Sequence, residues 1–159
     1  MTVSELTGPC YLDSSALARV YLPETGSDLV NEALTGRDDL LISDLVVTEI
    51  LSAVTRRRRQ ESLTIQAAQS LHKEILKDIE SGILTKVDLT PRVFRQAEQL
   101  LLSLDTLLRA LDAIHLSLAL MAGAKSVLTF DERMKEAAVL VGKRECRLLI
   151  ETAMRPSHS

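Results

Sequence analysis

The sequence predicts an α/β fold in which helices cover both faces of a parallel sheet. Short apolar segments alternate with longer amphipathic ones along the chain, which is the pattern of a parallel sheet with crossover helices. The length, 159 residues, suits one domain. Apolar residues make up 46% and charged residues 26%, as in a soluble globular domain. We therefore expect a single domain over residues 1–159, with a core at about 9–150 and a flexible tail at 151–159.

The first half of the chain predicts two strands and four helices. Pro23 ends the first helix, and Gly36 lies in the turn before the second strand. Ser14 or Ser15 is expected to cap the first helix, and Ser43 the third. The predicted elements are strand Pro9–Asp13, helix Ala16–Leu22, a helix from Ser27, strand Leu40–Ile42, helix Asp44–Gln60, and a helix from Ser62 or Thr64 to Glu80.

The second half continues the alternation. Thr90 and Pro91 combine a capping residue with proline at the first helical position, and Gly82 and Gly123 follow helical segments, as is typical of helix C-termini. The predicted elements are strand Ile83–Leu89, a helix from Pro91, helix Ala110–Ala122, strand Ser126–Phe130, helix Asp131–Leu140 and strand Cys146–Ile150.

Composition excludes several classes of protein. The net charge of −3 excludes a uniformly basic nucleic-acid-binding surface, and an aromatic content of 3% without tryptophan excludes a platform for base stacking. Cys10 and Cys146 lack the spacing of a zinc or redox site and are expected to be buried thiols. The sequence shows no signal peptide and no apolar run of about 18 residues. We expect a cytoplasmic protein without membrane contact.

Four carboxylates fall where parallel strands end. Asp13 ends the first strand, Glu49 lies on the helix after the second, Asp112 begins the most apolar helix, and Asp131 follows the strand at 126–130. The carboxyl ends of parallel strands meet at one edge of a sheet, where ligands bind. Each acid taken alone has a structural alternative: a helix cap for Asp13 and Asp131 and a solvated helix face for Glu49. For Asp112 it is a helix-start acid favoured by the positive helix end or a pair with His115.

Together these acids favour a metal site. Several neighbouring carboxylates cannot all stay ionised without a cation between them, and carboxylate oxygens select Mg²⁺ or Mn²⁺ over zinc. Such an ion suits phosphoryl chemistry, because it polarises a phosphate oxygen and lowers the pKa of bound water. His115 and His72 are single histidines that we expect to be structural or solvated.

Four segments in this order resemble a PIN domain, and more narrowly the VapC-type ribonuclease toxins of toxin–antitoxin pairs. The segments are Tyr11–Leu17, Ser43 with Thr48–Ile50, Leu111–Ala119 and Leu128–Arg133.

The resemblance implies a three-layer α/β/α fold and a Mg²⁺- or Mn²⁺-dependent endoribonuclease. It implies Asp13 and Asp112 as metal ligands, with Glu49 and Asp131 completing the catalytic pocket. It also implies a homodimer and inhibition by a VapB-type antitoxin. It further implies that small hydroxyl groups orient the carboxylates or bound water. The residues at those positions are Ser14, Ser15 and Thr129.

A run of four arginines, residues 56–59, is the densest basic segment. It is either the solvated end of a helix, where cations favour the dipole, or a contact for RNA phosphates or an antitoxin. Successive helical residues point in different directions, so at most two can face one ligand. The candidate contacts are Arg19, Arg57, Arg58 and Arg109.

Other functions are weighed against the nuclease. An aspartyl-phosphate phosphatase needs a second aspartate two residues after Asp13, where this chain has Ser15, and the paired acids and lysine of a receiver domain are missing. A non-catalytic PIN-like module that binds RNA or protein stays open as the alternative.

Apolar stripes on the helices at 44–80 are expected to pack partly on a second copy of the chain; they are Leu45, Ile50, Leu51 and Val54, then Leu71, Ile75, Leu76 and Ile79.

Overall fold

The computed structural model describes residues 6–60, 63–145 and 149–151, with side chains up to residue 142. Five strands and seven helices alternate along this part of the chain. The strands are β1 (Cys10–Leu12), β2 (Leu40–Ser43), β3 (Thr85–Val87), β4 (Ser126–Leu128) and β5 (Leu149–Glu151). The helices are α1 (Ser14–Tyr21), α2 (Ser27–Leu34), α3 (Asp44–Gln60), α4 (Ile65–Glu80), α5 (Pro91–Ser103), α6 (Ala110–Met121) and α7 (Glu132–Glu145).

The strands form one parallel sheet in the order β3-β2-β1-β4-β5. Strand β1 lies at its centre, where Tyr11 pairs with Leu41 of β2 and with Val127 of β4. All three residues of β1 are fully buried, as expected for a strand covered on both faces. The helices flank the sheet, so the prediction of an α/β/α fold with a central parallel sheet is confirmed.

Two predicted helix caps are wrong. Asp13, not Ser14 or Ser15, caps α1, because its carboxylate accepts the N–H of Ala16. Ser43 is the last residue of β2, and its hydroxyl lies 3.2 Å from the Tyr11 hydroxyl on the neighbouring strand instead of capping α3.

Several predicted boundaries also differ. Strand β3 is shorter than predicted because it is an edge strand, with Thr85 and Lys86 exposed. Strand β4 ends at Leu128, because the Thr129 side chain turns to Asp13. Helix α7 begins at Glu132, after Asp131, and extends past Leu140 to Glu145. The buried thiol of Cys10 is confirmed, whereas Cys146 and the predicted tail beyond residue 151 lie outside the described residues.

The apolar stripes of α3 and α4 are largely used within the chain itself. Ile50 and Val54 of α3 and Leu71 and Ile75 of α4 are all buried in the core, whereas Leu76 is 46% exposed. Little of this surface therefore remains for the second copy that the sequence predicted there. In the described part of the chain, no helix combines the length and apolar character needed to cross a membrane.

Candidate functional site

Polar side chains gather at the carboxyl edge of the two central strands. Asp13 directly follows β1, and Thr129 directly follows β4. The backbone N–H of Asp13 donates to the Leu128 carbonyl at 3.3 Å, which keeps the ends of the two strands together. This edge is where a parallel sheet binds its ligands.

Asp13 is buried and held by three donors. Oδ1 accepts the Ser15 hydroxyl at 2.6 Å and the Ala16 N–H at 3.0 Å, and Oδ2 accepts the Thr129 hydroxyl. Burial raises the pKa of this carboxyl, and the hydrogen bonds from Ser15, Thr129 and Ala16 oppose that rise. Ser15 and Thr129 thus orient Asp13, as predicted from the resemblance, while no hydrogen bond from the Ser14 hydroxyl is found in the described residues.

Thr129 joins Asp13 to Asp131. Its hydroxyl donates to Asp13 and accepts the backbone N–H of Asp131 at 3.1 Å. The Asp131 carboxylate caps α7 by accepting the N–H groups of Arg133 at 2.9 Å and Met134 at 3.3 Å. The structural alternative weighed for Asp131, a helix cap, is therefore present, and the same residue lies beside the other acids.

Asp112 lies near the start of α6, where Oδ2 accepts the backbone N–H of Arg109 at 3.3 Å. Its pKa is raised, first by burial and then by repulsion from Asp131, while the Arg109 N–H, Arg133 and His115 act in the opposite direction. The Asp112 carboxylate near the start of α6 is therefore within electrostatic range of Asp131, which directly precedes α7.

Glu49 does not lie on a solvated helix face. Its Oε1 is hydrogen-bonded to His115 Nε2, and the two side chains form an ion pair when the imidazole is protonated. His115 Nδ1 lies 2.8 Å from the Tyr11 hydroxyl, which continues to Ser43. His115 is 3% exposed and pairs with Glu49 instead of with Asp112. The prediction of a structural or solvated histidine therefore missed a direct link to a candidate catalytic carboxylate.

The acids are oxygen ligands of the kind that a divalent cation prefers, but they do not form one compact group. Among the described residues, no three His, Cys, Asp or Glu side chains come close enough to form a ready ligand group. Mg²⁺ is usually held by only one or two carboxylates together with several waters. A cation bound between Asp112 and Asp131 would relieve their mutual repulsion. The donor set therefore fits a hard, oxygen-bound ion.

A cleft of about 510 Å³ lies beside this site and extends along α3 to its basic end; of the four candidate acids, Glu49 lines it, whereas Asp13, Asp112 and Asp131 do not. Ser14, Ser15 and Glu49 line its acidic end, and Arg56 and Arg57 line the other. Two of the four arginines, Arg56 and Arg57, line this cleft, whereas the predicted contact Arg58 is exposed outside it.

The two other predicted arginine contacts differ in their surroundings. Arg19 lines the cleft, but its guanidinium stacks 3.7 Å from the centre of the Phe130 ring and donates to the carbonyls of Ser15 and Thr25. It therefore holds the loops around the site in place. Arg109 is exposed and is not among the residues that line the cleft.

Comparison with known proteins identifies the family. The family model of the PIN domain matches residues 10–140. The chain belongs to the PIN domain family. Curated relatives of this PIN domain include Ribonuclease VapC45 and Ribonuclease VapC49, from two strains of Mycobacterium tuberculosis. Each is 31% identical over 138 residues, which cover 84% of this chain and 92% of the relative. The predicted resemblance to VapC-type proteins is confirmed.

Solved structures show the same fold. VapC20 of Mycobacterium tuberculosis, described as a sarcin–ricin loop cleaving toxin, gives a TM-score of 0.64 at 17% identity, covering 80% of this chain and 94% of that one. PAE2754 from Pyrobaculum aerophilum gives 0.56 at 22% identity, with coverage of 80% and 83%. FitAB bound to an IR36 DNA fragment gives 0.62 at 16% identity, with coverage of 94% and 99%.

Two residues of this PIN domain that the sequence did not single out belong to its buried hydrogen-bond links. Tyr11 lies two residues before Asp13, and His115 three residues after Asp112. Residues two apart on a strand and three apart on a helix share a face. That spacing was the available signal that both side chains point toward the acids.

Proposed function

We propose that this PIN domain is a Mg²⁺- or Mn²⁺-dependent endoribonuclease that acts as the toxin of a type II toxin–antitoxin system. The observation that carries the proposal is the cleft that joins Glu49 and Ser15, the neighbour that donates to Asp13, to Arg56 and Arg57. Relatives named as ribonucleases at 31% identity support RNA as the substrate, and the neighbour described as a loop-cleaving toxin supports the toxin role.

In this proposal Asp13 and Asp112 hold the cation, and Asp131 and Glu49 complete the pocket. When bound, the ion supplies electrophilic activation of a phosphate oxygen and of a water molecule. Ser15 and Thr129 keep the Asp13 carboxylate in one orientation. The reaction is hydrolysis of an RNA phosphodiester bond, which leaves a 5′-phosphate and a 3′-hydroxyl.

In this proposal one end of the cleft carries out the chemistry and the other end binds the RNA backbone. Arg56 and Arg57 are proposed to hold backbone phosphates, because guanidinium groups bind phosphate oxygens with charge-assisted hydrogen bonds. Glu24, which forms a 3.0 Å ion pair with Arg57, keeps that side chain extended along the cleft. With so few aromatic residues, RNA is recognised by shape and backbone.

Regulation follows from the same cleft. We propose that a VapB-type antitoxin inhibits the enzyme by covering the cleft between the acids and the arginines. A homodimer and a cytoplasmic location, where the RNA substrate is found, belong to the same proposal. Because little apolar area is left exposed on α3 and α4, the proposed contact between copies is expected elsewhere on the described surface.

The proposal is tested by incubating the purified chain with a structured RNA, with Mg²⁺, with Mn²⁺ and with EDTA. We expect fragments with a 5′-phosphate only when metal is present. RNA that is shifted on a native gel but stays intact with either metal would contradict the enzyme and favour the alternative, a non-catalytic PIN-like module that binds RNA.

A further inference from the structure

A buried hydrogen-bonded chain crosses four elements beneath the site. It runs from Ser43 at the end of β2 to Tyr11 on β1, then to His115 on α6 and finally to Glu49 on α3. Ser43, Tyr11 and His115 are each at most 3% exposed. Glu49 is the only member that lines the cleft. This series of hydrogen bonds therefore connects the interior of the sheet to one candidate catalytic carboxylate.

The chemistry of these groups assigns each proton. An ionised Glu49 carboxylate can only accept, so His115 Nε2 carries the proton and donates to Oε1. If the imidazole is neutral, Nδ1 is then an acceptor and takes the Tyr11 O–H at 2.8 Å; if it is protonated, Nδ1 donates to the Tyr11 oxygen, and Nε2 donates to Glu49 in both states. Burial raises the pKa of Tyr11, so its hydroxyl keeps that proton. The Tyr11 oxygen in turn accepts from the Ser43 hydroxyl at 3.2 Å.

We propose that His115 is the positioning residue for Glu49 in the reaction, anchored in the sheet by Tyr11. With Oε1 occupied by His115, the described residues leave Oε2 of Glu49 without a hydrogen-bond partner, as the oxygen available in the cleft. A carboxylate that is fixed through one oxygen presents the other oxygen in a single orientation. Many metal ligands are oriented in this way by a hydrogen bond from a neighbouring residue. This inference rests on the proposed function, because it assigns Glu49 to the nuclease site.

His115 could instead have a purely structural role. In that role it is the hydrogen-bond partner that the buried Tyr11 hydroxyl requires. The two roles use different ring nitrogens: positioning needs Nε2, and satisfying Tyr11 needs Nδ1. A glutamine side-chain amide reaches about as far from the backbone as Nε2 does, whereas an asparagine amide reaches only about as far as Nδ1. The two substitutions therefore separate the roles.

The test compares His115→Gln with His115→Asn in metal-dependent RNA cleavage. We expect His115→Gln to keep kcat within a few-fold of wild type, because it can still donate to Glu49. His115→Asn should lower kcat about 10- to 100-fold with KM for RNA unchanged, the loss typical of residues that orient a metal site. Equal kcat for the two variants, or wild-type kcat in His115→Asn, would overturn the proposal.

Ser117→Ala is the matched control, since Ser117 is buried on the same helix and its Oγ has no hydrogen-bond partner in the described residues. It should cleave as wild type, with a similar melting temperature. If His115→Asn does not fold, Tyr11→Phe removes the anchor of the imidazole from the other end. We then expect a lower kcat at constant KM, and an unchanged kcat would overturn the proposal.

A separate measurement does not depend on cleavage. The ¹⁵N shifts of the His115 imidazole in the wild-type protein should show a proton on Nε2, whether or not Nδ1 also carries one. The opposite tautomer would overturn the positioning role even if the chain cleaves RNA. A wild-type chain with the expected tautomer but no metal-dependent cleavage would instead refute the proposed function and the role that rests on it.

Discussion

The two ends of the cleft are built in opposite ways. Behind the acidic end, where Ser15 lines the cleft, Asp13 is buried and bonded by three donors from α1 and the segment after β4. At the basic end, Arg56 and Arg57 are exposed on one helix, and Arg57 has a single partner, Glu24. A group that takes part in bond breaking needs a fixed position, whereas a phosphate contact tolerates motion of a long side chain.

Because the two ends differ in this way, we expect substitutions at one end to change the cleavage rate and substitutions at the other to change RNA affinity. Changes at the acidic end are expected to act on kcat, because the carboxylates are placed by tertiary contacts that cannot adjust. Changes at the basic end are expected to act on RNA affinity and its salt dependence. Results that mix the two effects at either end would break the comparison.

The largest expected effect is that of Asp13→Asn. The amide keeps an oxygen for the Ala16 N–H but removes the charge that is proposed to hold the cation, so cleavage should fall by at least about a hundredfold. The fold should persist, because the side chain changes little in shape. Initial rates on a structured RNA and a melting curve measure the two quantities.

Asp38→Asn is the control for this loss, because Asp38 is an exposed carboxylate in the turn before β2. It should cleave at the wild-type rate. An Asp13→Asn protein that cleaves as well as Asp38→Asn would show that Asp13 is not part of the reaction site.

A moderate effect is expected from the double change Arg56→Ala, Arg57→Ala. RNA binding should weaken several-fold, and the slope of log K against log salt should fall by about 0.7 for each lost phosphate contact, with kcat little changed. Arg58→Ala with Arg59→Ala is the matched control, because it removes the same charge from the same helix outside the cleft. Equal losses from both pairs would mean that only overall charge matters.

The smallest expected effect is on stability, in Asp112→Asn. Burial and Asp131 raise the pKa of Asp112, so the folded state takes up this proton before the unfolded state does, and stability falls as pH rises through the raised pKa. Asparagine removes that dependence. Without metal at neutral pH, the melting temperature should rise by at most about 2–4 °C, since the site is partly solvated, while cleavage is lost.

Asp28→Asn is the contrasting case, because Asp28 is an exposed acid in the first turn of α2. There the helix dipole favours the charge, so the amide should lower the melting temperature slightly. If Asp112→Asn also lowers it, the acid is held by its helix and not strained by its neighbour.

The order of strands and helices could be predicted from the sequence because it depends on local apolar spacing and turn residues. The positions of Asp13 and Asp131 could be predicted because each follows a strand. The Glu49–His115 bond could not, since it joins residues 66 apart and depends on how α3 packs against α6. The choice of Arg56 over Arg58 likewise depends on the rotation of α3 about its axis, which local spacing does not fix.

The central strand supplies two parts of the site at once. Tyr11 and Asp13 are two residues apart and so extend to the same side of the sheet. If β1 paired with its neighbours one residue out of step, both side chains would turn to the opposite side. The site would then lose the buried carboxylate and the anchor of His115 together. We therefore expect a chain with this register error to be inactive and not partly active.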